Sequence, residues 1–405
     1  MAAAPPLAQN AALSTAAQYS TFRNASTAPA PHLNLGQIRA GRKRRMSARR
    51  EITIESGLAL KRGGTLTRPV IAYESWGVLN SARDNAILIF TGLSASAHAH
   101  SSPEDPTPGW WEAIIGPGMP LDTRRFHVIC INTLGSCFGS TGPASVNPAT
   151  GQRYGATFPA ITVEDIAAAG AGLLDALGIE RAAAVLGPSL GGMVVLAFAA
   201  EFPDRARALV SISGAARSTA VSIGLRSAQR DAVRLDPKWR AGNYPADDPP
   251  LAGLKLARRI GTLTYRSAAE LDQRFGAGGK ETIADYLERQ ADLFVRRFDA
   301  NCFLVISEAM DRLDLAATHG GLEKAFRGTR VERALVIGVE SDWLFPPAQQ
   351  TEAANALLAA GVPTELNILP SFEGHDSFLV DIARFSATLS RFFASVKTSS
   401  RQSAA

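Results

Sequence analysis

Residues 182–200 run from strand to helix with a glycine-flanked serine at the join: Ala182-Ala183-Ala184-Val185-Leu186-Gly187-Pro188-Ser189-Leu190-Gly191-Gly192-Met193, then Val194–Ala200. A serine held on so sharp a turn needs small neighbours, because backbone passes close on both sides, and Gly187 and Gly191 supply them. The helix that follows points its N-terminus at the serine, and its unpaired N–H groups lend positive potential to an oxyanion formed there. The segment therefore predicts Ser189 as a nucleophile on an elbow between a buried strand and a buried helix, which calls for a layered α/β architecture. A tight glycine turn with an incidental serine is the plainer reading.

The rest of the chain repeats the alternation. Ala86–Phe90, His127–Ile131, Ala182–Leu186, Ala208–Ile212, Ala334–Val339 and Thr364–Leu369 are short apolar runs, often β-branched and bounded by turn residues. Helix-like stretches separate most of them; Thr162–Leu177, with Thr162 as cap and Asp165 three residues on, is one. This pattern predicts a mostly parallel sheet with helices on both faces. The alternation stops from about Ala215 to Arg330, where helical patterns such as Glu281–Arg297 predict a helical lid inserted between late strands, over residues 215–330. There is no internal repeat.

Charge is unevenly placed. The chain has 42 Lys and Arg against 37 Asp and Glu, but residues 1–50 hold eight basic residues and no acid. The remainder has 42 − 8 = 34 basic and 37 acidic residues, a net of −3, so the basic balance does not argue for nucleic-acid binding. Residues 1–45, rich in Ala, Ser, Thr and Pro and ending in Arg42-Lys43-Arg44-Arg45, cannot bury enough apolar surface to fold. They read as a disordered basic arm, as a transit peptide, or as an extension upstream of a second start at Met46. Residues 50–396 form the predicted domain and residues 397–405 a polar tail. No stretch approaches the roughly 18 apolar residues of a membrane span, so no membrane partner is expected. Cys130, Cys137 and Cys302 are odd in number and lack ligand spacing, which argues against a disulfide framework or metal site and for a reducing compartment. The expected location is cytoplasmic, or mitochondrial if residues 1–45 are a transit peptide.

A serine hydroxyl needs a base, and the base needs an orienting group. On a sheet of this kind the partners follow the serine in the order Asp, His, each just after a late strand. Asp342 follows Ala334–Val339, with Glu340 as rival, and His375 follows Thr364–Leu369. Two backbone N–H groups are needed for the oxyanion: Leu190, directly after the serine, and Leu93 in the Thr91-Gly92-Leu93-Ser94 loop are chosen. His98 and His100 in that loop either line the pocket or face solvent; His32, His127 and His319 are weaker candidates.

At this point the motifs resemble a known family. Thr91-Gly92-Leu93-Ser94-Ala95-Ser96-Ala97-His98-Ala99-His100, Pro108-Gly109-Trp110-Trp111-Glu112, Gly116-Pro117-Gly118, Leu134-Gly135-Ser136-Cys137-Phe138-Gly139-Ser140-Thr141-Gly142-Pro143, Asn147-Pro148-Ala149-Thr150-Gly151 and Arg297-Phe298-Asp299-Ala300-Asn301 look like the homoserine and serine O-acyltransferases of the α/β-hydrolase superfamily. The likeness spans about residues 52–395. It implies an α/β-hydrolase fold and a ping-pong reaction: Ser189 takes the acyl group from an acyl-CoA, and His375 then activates the hydroxyl of L-serine or L-homoserine. It implies Arg230, from Arg226-Ser227-Ala228-Gln229-Arg230-Asp231, for the acceptor carboxylate, Asp376 for its ammonium, and Tyr265 in the pocket lining. Acetyl-CoA enters as substrate, no cofactor is implied, and a homodimer is compatible with the likeness.

Val210–Ser218, Ser222–Arg226 and Thr91–Ser94 resemble the serine-using branch, which implies serine O-acetyltransferase activity in cysteine biosynthesis. Homoserine O-acetyltransferase of methionine biosynthesis and serine O-succinyltransferase are the alternatives. Pro188 and Phe138 depart from many members, and Phe138 leaves no extra cation in its loop for a succinyl carboxylate, which favours acetyl. An esterase or thioesterase would share the triad but not need Arg230 and Asp376, and a non-catalytic binding module would not need the triad at all.

Overall fold

The apolar runs read from the sequence lie side by side in one sheet. The structure, a computed structural model, describes residues 48–276 and 281–399; the basic arm of residues 1–45 and residues 400–405 of the tail fall outside these. The main sheet comprises β1 (Arg50–Thr53), β2 (Val70–Trp76), β3 (Ala86–Phe90), β4 (His127–Ile131), β5 (Ala184–Pro188), β6 (Ala208–Ile212), β7 (Arg333–Val339) and β8 (Thr364–Leu369). Their spatial order is β1-β2-β4-β3-β5-β6-β7-β8. The pairs from β4 through β8 are parallel, while β2 runs antiparallel to both β1 and β4.

Period-two alternation divides the central strands between two cores. In β3, Ala86, Leu88 and Phe90 face one cluster, and Ile87 and Ile89 the other. All five are essentially without exposure, and each of the four larger side chains so buried contributes about 1.5–3 kcal/mol. The first core is closed by α1 (Val163–Ala176) and α2 (Leu190–Glu201). In α1, Thr162 accepts from the Asp165 N–H at 3.3 Å, and Asp165 accepts from the Thr162 N–H at 2.8 Å, the reciprocal cap read from the sequence.

Between β6 and β7 come α3 (Ala220–Arg234), α4 (Leu251–Thr264), α5 (Ala268–Phe275), α6 (Ile283–Val295) and α7 (Ala300–Asp311), then two short helical stretches at Leu315–His319 and Leu322–Phe326. The chain closes with α8 (Pro347–Ala359) between β7 and β8, and α9 (Ile382–Ala394), which packs Phe385, Leu389, Phe392 and Phe393 into the second core. No helix among the described residues is long and apolar enough to cross a membrane.

Two details differ from the sequence reading. β5 begins at Ala184 and runs on to Pro188, because Ala182 makes only an isolated bridge to Ala206 whereas Gly187 and Pro188 keep register with Ser211 and Ile212. β1 and β2 were not legible. β1 is a half-exposed edge, and the apolar run of β2 is broken by Glu74, a buried carboxylate.

Candidate active site

The turn after β5 carries the strain its sequence implied. Ser189 sits at φ 57°, ψ −121°, a left-handed conformation costing on the order of 1–3 kcal/mol. A Cβ on Gly191 would stand 2.2 Å from the Phe90 carbonyl oxygen, and one on Gly187 would stand 2.5 Å from the Gly191 carbonyl carbon, so neither position admits a side chain. No side chain caps α2, leaving its first N–H groups, Leu190 foremost, free to meet an anion. The loop after β3 lies against the serine: a Cβ on Gly92 would be 3.9 Å from Ser189 Cβ, and the next residue, Leu93, lines the same cavity.

Loops after β7 and β8 bring the other two residues to Ser189. His375 Nε2 is 2.7 Å from Ser189 Oγ, and His375 Nδ1 is 2.7 Å from Asp342 Oδ2. Asp342 Oδ1 accepts from the Leu344 and Phe345 N–H groups at 3.0 and 2.9 Å, which fixes the carboxylate. The rival Glu340 is exposed. Phe345 stacks on the imidazole at 4.8 Å and Phe378 meets it edge-on at 5.9 Å, so the ring has one orientation. Burial alone would lower the imidazole's affinity for a proton; the Asp342 charge and hydrogen bond, with the Asp376 charge, outweigh it and leave the pKa raised. A neutral ring that donates from Nδ1 to Asp342 presents an Nε2 lone pair to the Ser189 hydroxyl, the geometry of an activated nucleophile.

These groups open into a cavity of about 370 Å³. Asp376 and Tyr265 line it, tied by an Asp376 N–H to Tyr265 carbonyl bond of 2.9 Å. Burial raises the Asp376 pKa, against the charges of Arg266, His375 and Arg258. Arg258 reaches over the Tyr265 ring, 5.3 Å from its centroid, and donates to Ser94 Oγ at 3.3 Å; its Nε is buried without a hydrogen-bond partner among the described residues. A positive and a negative group thus share the wall beside the triad. His98 also lines the cavity, but its two ring nitrogens lie 2.9 Å from the Glu74 carboxylate and 2.8 Å from the Thr107 carbonyl, so its charge is already matched. His100, His127 and His319 are outside the cavity lining. Among the described residues no group of three or more His, Cys, Asp or Glu could hold a metal ion. A wider surface cleft between Arg207, Glu332 and Lys397 contains none of the triad residues.

A family model for the alpha/beta hydrolase fold matches residues 85–381. The chain is 51% identical over 361 residues to a serine O-succinyltransferase of Litchfieldella anticariensis, covering 86% of this chain and 98% of that one. It is 48% identical over 366 residues to an L-serine/homoserine O-acetyltransferase of Streptomyces lavendulae, covering 86% and 98%. This chain belongs to the serine/homoserine O-acyltransferase family of α/β hydrolases. The solved homoserine O-acetyltransferase from Bacillus anthracis superimposes with a TM-score of 0.79 at 27% identity, over 85% of this chain and 96% of that one. Esterase E22 does so almost equally, with a TM-score of 0.77 at 28% identity over 85% and 99%, so the fold by itself does not separate transfer from hydrolysis.

Within this acyltransferase frame, two expectations need correcting. Arg230 is not in the cavity lining. It projects from α3 into a buried cluster, 2.7 Å from Asp311 Oδ2 and 2.9 Å from Ser307 Oγ, while Arg226 holds Asp311 Oδ1 at 2.5 Å. Its guanidinium is consumed by that carboxylate. A cation that does line the cavity, over the Tyr265 ring, is Arg258, which sequence reasoning missed although it precedes Tyr265 by seven residues, two helical turns on one face. Asp376 itself is approached by Arg266 at 3.5 Å. Arg230→Ala is therefore expected to lower stability by about 3 kcal/mol, the low end for breaking a buried pair because Arg226 still covers Asp311. Denaturant melts and acceptor KM, measured together, should show the first changed and the second not.

The second correction concerns the ground for an acetyl donor. Phe138 leaves its own loop without a cation, but its ring packs edge-on against Phe298 at 5.6 Å, and the adjacent Arg297 lines the acyltransferase cavity. The cavity therefore has a cation from another segment, and the Phe138 loop alone does not decide the donor.

Proposed function

We propose that this protein transfers a succinyl group from succinyl-CoA to the hydroxyl of L-serine, through an acyl-enzyme on Ser189. The observation that carries the transfer to an amino acid is the presence of both Arg258, over the Tyr265 ring, and Asp376, which Arg266 approaches at 3.5 Å, in the lining of the cavity that holds Ser189 and His375. A hydrolase has no use for a zwitterion clamp beside its nucleophile, whereas a transferase must seat an amino acid there well enough to outcompete water.

The chemistry follows from the triad. His375 Nε2 takes the Ser189 proton as Oγ attacks the thioester carbonyl, and the Leu190 and Leu93 N–H groups receive the oxyanion. The tetrahedral centre collapses, His375 returns the proton to the departing thiolate, and CoA leaves. L-serine then binds with its carboxylate on Arg258 and its ammonium on Asp376. Its hydroxyl gives a proton to His375 and attacks the acyl carbonyl; Ser189 regains the proton as O-acylserine departs. No cofactor takes part, and acyl-CoA is a substrate. An activated serine ester suits displacement by a sulfur nucleophile, which places the reaction in sulfur amino-acid biosynthesis.

Serine is preferred to homoserine because relatives at 43–51% identity are named for serine, and the donor choice follows the same names and the cation at Arg297. Homoserine is the second reading, supported by the Streptomyces relative's name. One methylene in a pocket is worth about 1–3 kcal/mol of discrimination, so both acceptors should be measured.

The test separates the half-reactions. Arg258→Ala should slow discharge of the acyl-enzyme by L-serine by roughly 30- to 800-fold in kcat/KM, the loss of a charge-assisted contact worth about 2–4 kcal/mol. Acyl-enzyme formation should fall far less. Equal impairment of both steps would show that Arg258 does not hold the acceptor.

A further inference from the structure

The cavity wall holds one guanidinium more than an amino-acid acceptor needs. Arg297 stands in the short turn between α6 and α7, exposed to solvent and lining the cavity that holds Ser189 and Arg258. Its backbone is anchored: its N–H bonds the Phe294 carbonyl at 3.1 Å, and its own carbonyl accepts from Cys137 Sγ at 3.4 Å. The next residue, Phe298, is buried, stacked on Phe294 at 4.9 Å and packed edge-on against Phe138 at 5.6 Å. A fixed root with a partly desolvated head is a cation held on the cavity wall.

Its charge is unmatched. Among the described residues no carboxylate forms an ion pair with Arg297, and the groups that act on it are burial and the like charge of Arg258, which disfavour its cationic form, and Cys137. His98 is matched by Glu74, whereas Arg258 lies over the Tyr265 ring with no ion pair among the described residues, and Asp376 is approached by Arg266 at 3.5 Å. The cavity therefore holds two guanidinium groups open to anions. Counting carboxylates in the reaction is then informative. An acetyl donor with a serine acceptor brings one carboxylate to the cavity, which Arg258 takes. A dicarboxylic acyl donor brings a second, on the acyl chain itself.

We infer that Arg297 docks the terminal carboxylate of a dicarboxylic acyl group, of which succinyl is the four-carbon case, and so sets donor choice. This rests on the acyltransferase reading above and adds the residue that discriminates between donors. Arg297 is a binding residue for the donor chain; the triad and Arg258 carry the rest.

The experiment is single-turnover CoA release from succinyl-CoA and from acetyl-CoA, without acceptor, for the wild type, Arg297→Ala and Arg297→Lys. The expected result is an about 10- to 100-fold loss of acylation efficiency with succinyl-CoA in Arg297→Ala and less than about twofold with acetyl-CoA. Arg297→Lys, which keeps the charge and loses the fork, should recover part of the succinyl rate. Equal losses with both donors would assign Arg297 to the CoA phosphates and overturn the inference. So would unchanged rates with both, or a defect confined to discharge by L-serine. If the wild type releases CoA from neither donor, the acyltransferase reading itself fails and this inference falls with it; if it releases CoA from acetyl-CoA alone, only this inference falls.

Discussion

Ser189→Ala is expected to leave a folded protein that forms no acyl-enzyme and loses about 10⁴- to 10⁶-fold in turnover. The size of the effect follows from the geometry. Ser189 Oγ is the hydroxyl within reach of His375 Nε2, at 2.7 Å, and it is the atom on which the acyl group must rest between the two half-reactions. Without it His375 has no proton to take, and the oxyanion donors at Leu190 and Leu93 have no intermediate to hold. Folding should be spared because alanine keeps the Cβ at φ 57° and because the Ser189 side chain caps nothing in α2. The cost in stability should stay within about 1 kcal/mol. CoA release, intact mass and a thermal melt on the same preparation read all three.

The second large effect is at Asp342. Asp342→Asn should lower turnover by roughly 10⁴-fold with the fold intact. An asparagine carbonyl can still accept from the Leu344 and Phe345 N–H groups, now at 3.0 and 2.9 Å. Its amide then points a donor at His375 Nδ1, where the carboxylate was an acceptor 2.7 Å away. The imidazole must accept there, which moves its proton to Nε2 and removes the lone pair that Ser189 needs. The pH profile carries a separate signature. Asp342 helps hold the His375 pKa above its usual value, and the base must be neutral to work, so wild-type activity falls as pH drops through that raised pKa. With the Asp342 charge gone the His375 pKa falls, and the residual activity should persist to lower pH than in the wild type. A mutant whose acid limb stays in place would argue against this pairing.

How far the chain could be read in advance depended on whether the deciding interaction was local. Ala86–Phe90 was legible to the residue because a parallel strand buried on both faces is a continuous apolar run between turns, and Thr364–Leu369, a half-exposed edge strand, was legible from the prolines at 363 and 370 that bound it. The elbow was legible because backbone crowding around Ser189 forces glycine at 187 and 191, a constraint written within five residues. The Thr162–Asp165 cap was local too. Strand β2 was hidden because Glu74, which breaks its apolar run, is accommodated by His98, twenty-four residues away. The place of Arg230 was hidden for the same reason. Arg230 and Arg258 both sit on helices of the lid, and nothing near Arg230 in sequence announces that Asp311, from α7, occupies it. Arg297 carries no local signal of a role, since it comes to line a cavity with Ser189 only through the fold of the α6–α7 segment.

The most direct test of the whole account is the fate of the acyl group when acceptor is withheld and then supplied. Wild-type protein mixed with succinyl-CoA alone should gain one acyl adduct, mapped by peptide mass to Ser189. Addition of L-serine should discharge it as O-acylserine much faster than water does. Absence of an adduct, an adduct on another residue, or discharge that L-serine does not accelerate would contradict a ping-pong acyl transfer through Ser189.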